Sequence, residues 1–349
     1  MPLRPVPKNG RVFYSLLFVL SSGHLRKNRL YFTVVNRKED IQAGFLWGTP
    51  DEVRPLAAAD VPLFRLTNGA GELPPVVLPF AVPPGARALC RQGRVVGRVW
   101  ETPEAQFCFL AGVQPPDLTA ARGEQAVAVF PEMENLLAEV GMTFANVVRT
   151  WIYIDRVCEW YGEFNAARSA FFESRRVFET FLPASTGIGS ANLDGAALVT
   201  GALAMKPKTA AARAEIVESP LQAPAMAYKS SFSRAAEIIT PACRQLFVSG
   251  TASIKPNSHD VAYVGDIVRQ IDCTMTAVKA ILDSRGYGWA DATRTIVYLK
   301  EAAFRAPWRA WCFAQGLPET FAAETVCDVC RDEWLFEIEI DAAKGGRFI

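Results

Sequence analysis

An internal duplication sets the strongest limit on how this 349-residue chain folds. From about residue 101 onward, apolar periodicities predict the same order of elements twice: a strand, a long helix, a strand, a second helix and a closing strand. Matched segments support the repeat, with Phe109-Leu110-Ala111-Gly112 corresponding to Phe247-Val248-Ser249-Gly250, and Arg149-Thr150-Trp151-Ile152-Tyr153 corresponding to Arg294-Thr295-Ile296-Val297-Tyr298. Strands and helices mixed in this way place the chain in the α+β class.

The predicted elements can be placed along the chain. In the first copy, strands are expected over 106–113, 147–154 and 198–205, with one helix ending at Gly141 and another over about 163–181. In the second copy, strands are expected over 245–254, 293–299 and 334–342, and helices over about 264–284 and 307–315. Residues 1–100 carry short apolar runs, among them 12–20 and 30–35, which are typical of a mostly β lobe.

These elements predict four segments. They are an N-terminal β-rich lobe over 1–100, a first unit over 101–205, an interlobe connection over 206–234 and a second unit over 235–349. The connection contains three prolines and Tyr228, and it is too polar and irregular for a core. Long connections of this kind are often functional.

Composition excludes several classes of function. The 37 basic and 36 acidic residues balance, without a dense basic run, so the sequence does not predict nucleic-acid binding. The apolar run at 12–20 is too short to span a bilayer and is expected to be a first strand rather than a cleaved signal, so a cytoplasmic protein with no membrane partner is predicted. A small-molecule ligand is the expected partner.

Cysteine and histidine usage narrows the chemistry. The eight cysteines are scattered and expected to be reduced thiols, and the Cys327-x-x-Cys330 pair lacks the second pair of ligands that a structural zinc site needs. Neither His24 nor His259 lies in an element that looks like a site, so a histidine-based triad is not expected. Acid catalysis must then come from a carboxyl group, without a metal.

The closing strand of the second copy carries acids that its counterpart lacks. The stretch Trp334-Leu335-Phe336-Glu337-Ile338-Glu339-Ile340-Asp341 alternates between two faces. Glu337 aligns with Val199 of the first copy, so the fold does not require an acid there. Amphipathic strands commonly turn their acids to water, and Glu339 and Asp341 are expected to extend toward solvent or the rim. Glu337 is either another such acid or a buried catalytic one.

Several motifs together resemble a known superfamily. The repeated unit, with a strand ending in Ser249-Gly250-Thr251, a helix, the Arg-Thr-x-x-Tyr motif and the closing Phe-Glu-Ile-Glu, resembles the YjgF/Rid (reactive intermediate deaminase) fold. More narrowly, the segments 149–153, 160–168, 182–189, 231–235 and 335–339 resemble the chorismatases. Rid proteins are trimers with sites between subunits. The resemblance therefore implies two tandem YjgF/Rid-like (chorismate-mutase-like) α/β units plus the N-terminal lobe, forming a pseudo-trimer within one chain.

The resemblance implies an activity as well as a fold. Chorismatases remove the enolpyruvyl group of chorismate as pyruvate; the type most like this chain leaves 3-hydroxybenzoate, and some relatives also release 4-hydroxybenzoate. No cofactor or metal is implied, chorismate is the implied partner, and the pseudo-trimer implies a monomer or a weak oligomer. Three other interpretations stay open: hydrolysis of chorismate to a dihydroxycyclohexadiene carboxylate, a Rid-like imine deaminase, and a non-catalytic binder of small carboxylates.

The resemblance also points to acid and anion-binding residues. Glu337 is the expected general acid, because a carboxyl group enclosed between lobes keeps its proton near neutral pH; the alternative is a carboxylate paired with an arginine. Arg309 and Arg168 are equivalent in the two copies and suit recognition of a substrate carboxylate, although Arg168 could equally lie on a helix surface. Tyr153 and Tyr228 are candidate hydroxyl donors to the substrate, or else core aromatics.

Gly250 and Cys330 are the residues expected to select the product. They resemble the 3-hydroxybenzoate-forming chorismatases, in which the ring's own hydroxyl displaces the enolpyruvyl group, whereas formers of the diene-diol carry Ala at the first position. The physical expectation is room for the ring to shift and exclusion of the water that hydrolysis needs. The structural alternative is a strand Gly needed for close packing and a buried Cys acting as a small hydrophobe.

Overall fold

The computed structural model describes residues 43–54, 60–67, 73, 75–228, 230–256, 258 and 260–345, without the side chains of Glu52 and Tyr228. The strands expected over 12–20 and 30–35 lie outside these residues. The described part forms three sheets, and none of its helices has the length and apolar character that crossing a bilayer requires.

The N-terminal sheet is small. Its own elements are β1 (Gly44–Gly48), α1 (Pro50–Val53), β2 (Leu63–Thr67) and β3 (Val76–Pro79). Strand β1 is parallel to β2 and antiparallel to β3, so α1 is a short crossover between two parallel neighbours.

The middle sheet belongs to the first unit. Its elements in chain order are β4 (Arg87–Arg91), β5 (Arg94–Glu101), β6 (Ala105–Val113), α2 (Arg122–Ala138), β7 (Val147–Ile154), α3 (Val157–Ser174), β8 (Ala184–Gly189), β9 (Ala191–Asn192) and β10 (Leu198–Pro207). The strand order is β4-β5-β6-β10-β7-β8, while β9 joins the edge of the N-terminal sheet. Helix α2 ends just before Gly141, whose φ of 69° confirms the predicted stop.

The third sheet belongs to the second unit. Its elements are β11 (Arg213–Val217), β12 (Ala235–Ile239), β13 (Cys243–Ala252), α4 (Ile267–Ser284), β14 (Ala292–Leu299), α5 (Arg305–Ala314), β15 (Ala323–Val326) and β16 (Phe336–Gly345). The strand order is β11-β12-β13-β16-β14-β15, which repeats the middle sheet position by position. The duplication is confirmed.

The repeated unit is larger than the sequence predicts. Strands β4 and β5 fall in the predicted N-terminal lobe and β11 falls in the predicted interlobe connection, yet they begin the two large sheets. Strands β4 and β11 are edge strands with largely exposed or half-exposed side chains, so they lack the apolar periodicity that marks a strand in sequence.

The N-terminal sheet repeats part of the same pattern. The order β3-β1-β2, with one parallel and one antiparallel pair around a crossover helix, matches β10-β7-β8 and β16-β14-β15. All three sheets contribute buried side chains to one shared core, including Phe64, Trp151 and Tyr298. The α+β class and the pseudo-trimer of two tandem units with an N-terminal β-rich lobe are therefore confirmed.

The two faces of β16 have different surroundings. Phe336, Ile338 and Ile340 pack in the core beneath α4 and α5. Because side chains alternate along a strand, Glu337, Glu339 and Asp341 point to the opposite face, toward the other sheets. The acids of the closing strand therefore face the interior of the pseudo-trimer.

Candidate active site

Glu337 lies at the start of β16, between β13 and β14. It is opposite Ala252 on one neighbouring strand and opposite Tyr298 on the other, and only 5% of it is exposed. Burial raises the pKa of the Glu337 carboxyl to about 8, the nearby charge of Glu339 adds to the rise, and Arg149 opposes it. At neutral pH this group is mostly a protonated acid.

Gly250 lies directly against that acid. The β13–β16 pairing shifts register between Val248 and Thr251, and a Cβ at position 250 would lie 2.1 Å from Oε1 of Glu337. The Gly250 backbone N–H donates to Oγ1 of Thr186 at 3.0 Å. Since Thr186 belongs to β8 of the first unit, the site is formed between the two units.

The other two acids of β16 form a buried charge network. Glu339 accepts hydrogen bonds from Nη2 of Arg149 at 2.9 Å and from Nε1 of Trp151 at 3.0 Å, and it is also paired with Arg294. Arg294 donates two hydrogen bonds to Asp341, at 2.6 and 3.0 Å. Burial alone would raise the pKa of Glu339, but Arg294 and Arg149 outweigh it and lower that pKa.

The expectation that Glu339 and Asp341 extend toward solvent or the rim is therefore wrong. They are 0% and 2% exposed. The physical reason is that β16 is a central strand whose second face is covered by the other units, and those units supply the arginines that make burial of carboxylates tolerable.

Helix α3 has a polar face that includes Tyr161, a close neighbour of Glu337. Tyr161, Asn165 and Arg168 are spaced at i, i+4 and i+7, so they lie on one side of the helix. Arg168 is 2% exposed and donates to Oδ1 of Asn165 at 2.6 Å, which excludes the helix-surface alternative. Burial raises the pKa of Tyr161, the neighbouring Cys330 adds to the rise, and Arg168 opposes it.

Cys330 closes the site from the segment before β16. Burial raises the pKa of its thiol, Glu337 adds to the rise, and Tyr161 is a hydrogen-bonding neighbour that opposes it. The thiol is therefore protonated and neutral at neutral pH. Burial also raises the pKa of Cys327 to about 12, and within the described ranges no group of His, Cys, Asp or Glu is arranged to hold a metal ion.

Tyr153 is a core residue whose hydroxyl reaches the inner side of the site. It is fully buried, its ring packs edge-on against Trp47 and Phe64, and its Oη lies 3.3 Å from Oη of Tyr298. Tyr298 is the residue directly opposite Glu337 on β14. Tyr298 therefore lies between Tyr153 and Glu337, in contact with the first and opposite the second.

Arg309 is not brought to Glu337. It lies on α5, and its Nε donates to Oε1 of Glu324 at 3.2 Å. Glu324 is opposite Val297, which packs in the core beneath the helices, so this pair lies on the helix side of the sheet while Glu337 points to the other face. The backbone of Tyr228 ends a short 3₁₀ helix, Ala225–Tyr228, and its side chain lies outside the description.

The structure adds residues that the sequence analysis does not select. Thr186, Tyr161, Asn165 and Tyr298 surround the acid or its neighbours. Two signals were available for them: the i, i+4, i+7 spacing on α3, and the equivalence of Tyr298 to Tyr153 in the repeat. For Thr186 the signal was only its place in the segment 182–189.

The equivalent position in the first unit has no acid. Val199 stands where Glu337 stands, and Gly201 stands where Glu339 stands. A Cβ at Gly201 would lie 2.3 Å from Cζ of Phe64, so an aromatic ring of the N-terminal sheet occupies that space. The duplicated fold thus has its acid pair on β16 and not on β10.

Known proteins support one interpretation of this site. No family model matches the chain. The chain is similar to a 3-hydroxybenzoate synthase from Streptomyces hygroscopicus, with 28% identity over 264 residues that cover 68% of this chain and 74% of that protein. It is also similar to a chorismatase from Streptomyces rapamycinicus, with 25% identity over 237 residues that cover 61% of this chain and 68% of that protein.

A solved structure agrees at the level of the fold. A crystal structure of a chorismatase aligns with a TM-score of 0.61 at 19% identity and covers 88% of this chain and 94% of that one. Together with the two sequence relatives, this match confirms the resemblance to the chorismatases, and the first relative favours the 3-hydroxybenzoate type.

Proposed function

We propose that this chain is a chorismatase that converts chorismate to 3-hydroxybenzoate and pyruvate, with Glu337 as the proton donor. The observation that carries the proposal is a carboxyl group enclosed between two units, whose pKa is raised to about 8 by burial. A general acid works best when its pKa lies near the working pH, because it is then both protonated and able to give up its proton.

The first chemical step needs this one proton. The enolpyruvyl ether of chorismate is stable until its terminal CH2 carbon is protonated, which produces an oxocarbenium-like centre. Glu337 donates that proton and becomes a carboxylate. The bond between the ring carbon and the ether oxygen can then break, and the three-carbon group leaves as pyruvate.

The second step determines the product. When the ring's own hydroxyl oxygen attacks the carbon that loses the ether, it releases a proton that the Glu337 carboxylate can take back, and an epoxide-like ring remains that rearranges to 3-hydroxybenzoate. The two products together contain the atoms of chorismate with no added water. Formation of the diene-diol needs one water molecule, so a dry site favours the first outcome.

Arg168 is the residue we assign to bind a substrate carboxylate. Its buried guanidinium lies beside Tyr161, which in turn is close to both Cys330 and Glu337. A guanidinium can donate two parallel hydrogen bonds to a carboxylate, and a buried one does so with little competition from water. Position and burial favour Arg168 over the half-exposed Arg309 for this role.

Gly250 and Cys330 are proposed to shape the space around the acid. The missing Cβ at Gly250 lets the Glu337 carboxyl lie against the β13 backbone, and the neutral Cys330 thiol supplies an apolar wall. In this proposal the two residues give the ring room to shift and keep a hydrolytic water away.

The alternative activities receive less support. A Rid-like deaminase would need an arginine to hold a carboxylate in the segment before the closing strand. This chain has Thr186 there in the first copy, with its hydroxyl already bonded to Arg149 and to Gly250, and the Cys327-Asp328-Val329-Cys330 segment there in the second copy. A non-catalytic binder of small carboxylates has no need of a buried, protonated carboxyl beside its anion-binding group, because that carboxyl costs stability when it ionises.

Two broader predictions belong with this proposal. The pseudo-trimer already places units side by side as separate subunits do in Rid proteins, so we propose that the chain acts as a monomer or a weak oligomer. A cytoplasmic location stays a prediction, and the cysteines of the described part are free thiols, as a reducing compartment would keep them.

The proposal is tested by incubating the purified full-length chain with chorismate. Pyruvate release is followed by a coupled assay, and the aromatic product is identified by chromatography against authentic 3-hydroxybenzoate, 4-hydroxybenzoate and the diene-diol. Equal amounts of pyruvate and 3-hydroxybenzoate are expected. A diene-diol as main product would support the alternative, and absence of pyruvate would reject chorismatase activity.

A further inference from the structure

We propose that Glu339 is a positioning residue for Glu337: its fixed negative charge keeps the proton on Glu337 until the substrate takes it. This inference rests on the proposed function, since it concerns the readiness of the same acid. It adds a residue that does not touch the reacting atoms and acts through the group that does.

The geometry of Glu339 is rigid. Both carboxylate oxygens are engaged, Oε2 by Arg149 at 2.9 Å and Oε1 by Trp151 at 3.0 Å, with Arg294 also paired to Oε1. Glu339 lies on the same face of β16 as Glu337, two residues along the strand, which places the two carboxyl groups about 7 Å apart. Both acids are buried, because Glu339 is 0% and Glu337 only 5% exposed.

The charges of the network already balance. Arg149 and Arg294 carry two positive charges, and Glu339 and Asp341 carry two negative charges, all in one buried cluster. Ionisation of Glu337 would add an uncompensated negative charge to this enclosed space, which is unfavourable. If Glu339 lost its charge, the cluster would have a surplus positive charge that an ionised Glu337 would neutralise.

The other groups around Glu337 do not take over this role. Beta strand β14 contributes Tyr298, helix α3 contributes Tyr161 and Arg168, and the segment before β16 contributes Cys330. The phenols and the thiol are neutral at neutral pH because burial raises their pKa values, and the Arg168 cation acts on the neighbouring Tyr161. Among the described residues that act on the pKa of Glu337, Glu339 is the charged group that raises it and Arg149 is the one that lowers it.

The internal repeat supports the link between the two acids. In the first unit, where Val199 replaces Glu337, the position of Glu339 is occupied by Gly201, and both replacements fold into the same sheet order. The fold therefore requires neither acid, and both occur at the site where chemistry is proposed.

The test is the pH dependence of kcat/KM for chorismate in the Glu339→Gln variant of the full-length chain. The amide retains the shape and an oxygen acceptor but loses the charge. We expect the alkaline limb, near the pKa of about 8 in the wild type, to move to lower pH, by about one unit or more. Activity lost at pH 8 should return near pH 6, which a purely structural role would not produce.

Asp341→Asn is the matched control. It also removes one buried carboxylate bound to Arg294, but it lies two residues farther from Glu337 along β16. Its alkaline limb should shift by much less than that of Glu339→Gln. An unchanged limb in Glu339→Gln, or an equal shift in both variants, would overturn the proposal.

Two further variants keep the proposal testable if Glu339→Gln does not fold. Circular dichroism checks the folding of each variant. Glu339→Asp keeps the charge and should restore the limb toward its wild-type position. Arg149→Met removes the opposing charge and should move the limb to higher pH, so a downward shift there would contradict the proposal even if Glu339→Gln did not fold. Failure of the proposed function itself would look different: the wild type would release no pyruvate from chorismate, or Glu337→Gln would retain turnover.

Discussion

Gly250 and Glu337 face each other across β13 and β16 so closely that a single methyl group at position 250 would lie 2.1 Å from the carboxyl oxygen of the acid. The three atoms nearest to that methyl position belong to side chains: two are in the Glu337 carboxyl, and the third is the Thr186 methyl carbon at 3.2 Å. The glycine therefore fixes where the acid lies, because any larger residue must displace the carboxyl rather than the strand.

Gly250→Ala should fold and lose activity. The clashing atom is the end of a side chain that can rotate, so stability should change little, whereas displacement of the acid should lower kcat by on the order of 10- to 100-fold. The remaining product should shift toward the diene-diol, since the displaced carboxyl admits water. Product chromatography checks this, and Gly162→Ala, at a position where nothing lies within 4 Å of an added Cβ, is the matched control.

The rate should depend on pH through Glu337. Because the proposed proton donor is the protonated form of Glu337, kcat/KM should fall as pH rises through about 8, the raised pKa of that carboxyl. A rate profile measured from pH 5 to 10 with constant ionic strength checks this expectation. An alkaline limb below about pH 6 would mean that the acid is not held in the buried environment described here.

Glu337→Gln should be more stable than the wild type at alkaline pH. A carboxyl whose pKa rises from 4.5 when unfolded to about 8 when folded binds its proton more tightly in the folded state, so its contribution to stability is complete below about 4.5 and is lost as pH rises through about 8. The amide of the variant does not titrate, so its free energy of unfolding does not fall in this way. In the wild type the fall amounts to roughly 3 to 5 kcal/mol at pH 9 to 10. Urea unfolding at pH 6 and pH 9.5 measures the difference.

Arg168 and Arg309 should differ in their effect on substrate binding. Arg168→Met removes the guanidinium that we propose binds a substrate carboxylate and should raise KM by about 10- to 100-fold. Arg309→Met removes only a half-exposed ion pair with Glu324 and should change KM by less than about twofold. Equal effects of the two substitutions on KM would contradict the assignment of the anchor to α3.

The duplication and the acid could be predicted from the sequence because both leave local signals. Strand β16 alternates with period two and α4 repeats with helical spacing, and the comparison of the two copies singled out Glu337 as an acid the fold does not need. Most of the predicted strands and helices of both copies lie close to the observed bounds for the same reason, but the helix expected over about 163–181 is α3 at Val157–Ser174 and begins about six residues earlier.

The environment of the acids could not be predicted in the same way. Arg149 and Glu339 are separated by 190 residues, and nothing in either segment shows that the two strands meet. Arg309 illustrates a second limit: the sequence aligns it with Arg168, but the structure pairs Arg309 with Glu324 of its own unit, whereas Arg168 is buried on α3. Equivalent residues of a pseudo-trimer therefore reach different sites.

The rate of pyruvate release from chorismate by wild type and by Glu337→Gln tests the central claim most directly. Both proteins are assayed at pH 7 with saturating substrate, and binding of chorismate to the variant is confirmed by calorimetry. Loss of the proton donor should lower kcat by about 100-fold or more while binding is retained. A variant that turns over chorismate within about threefold of the wild-type rate would contradict the assignment of Glu337 as the general acid.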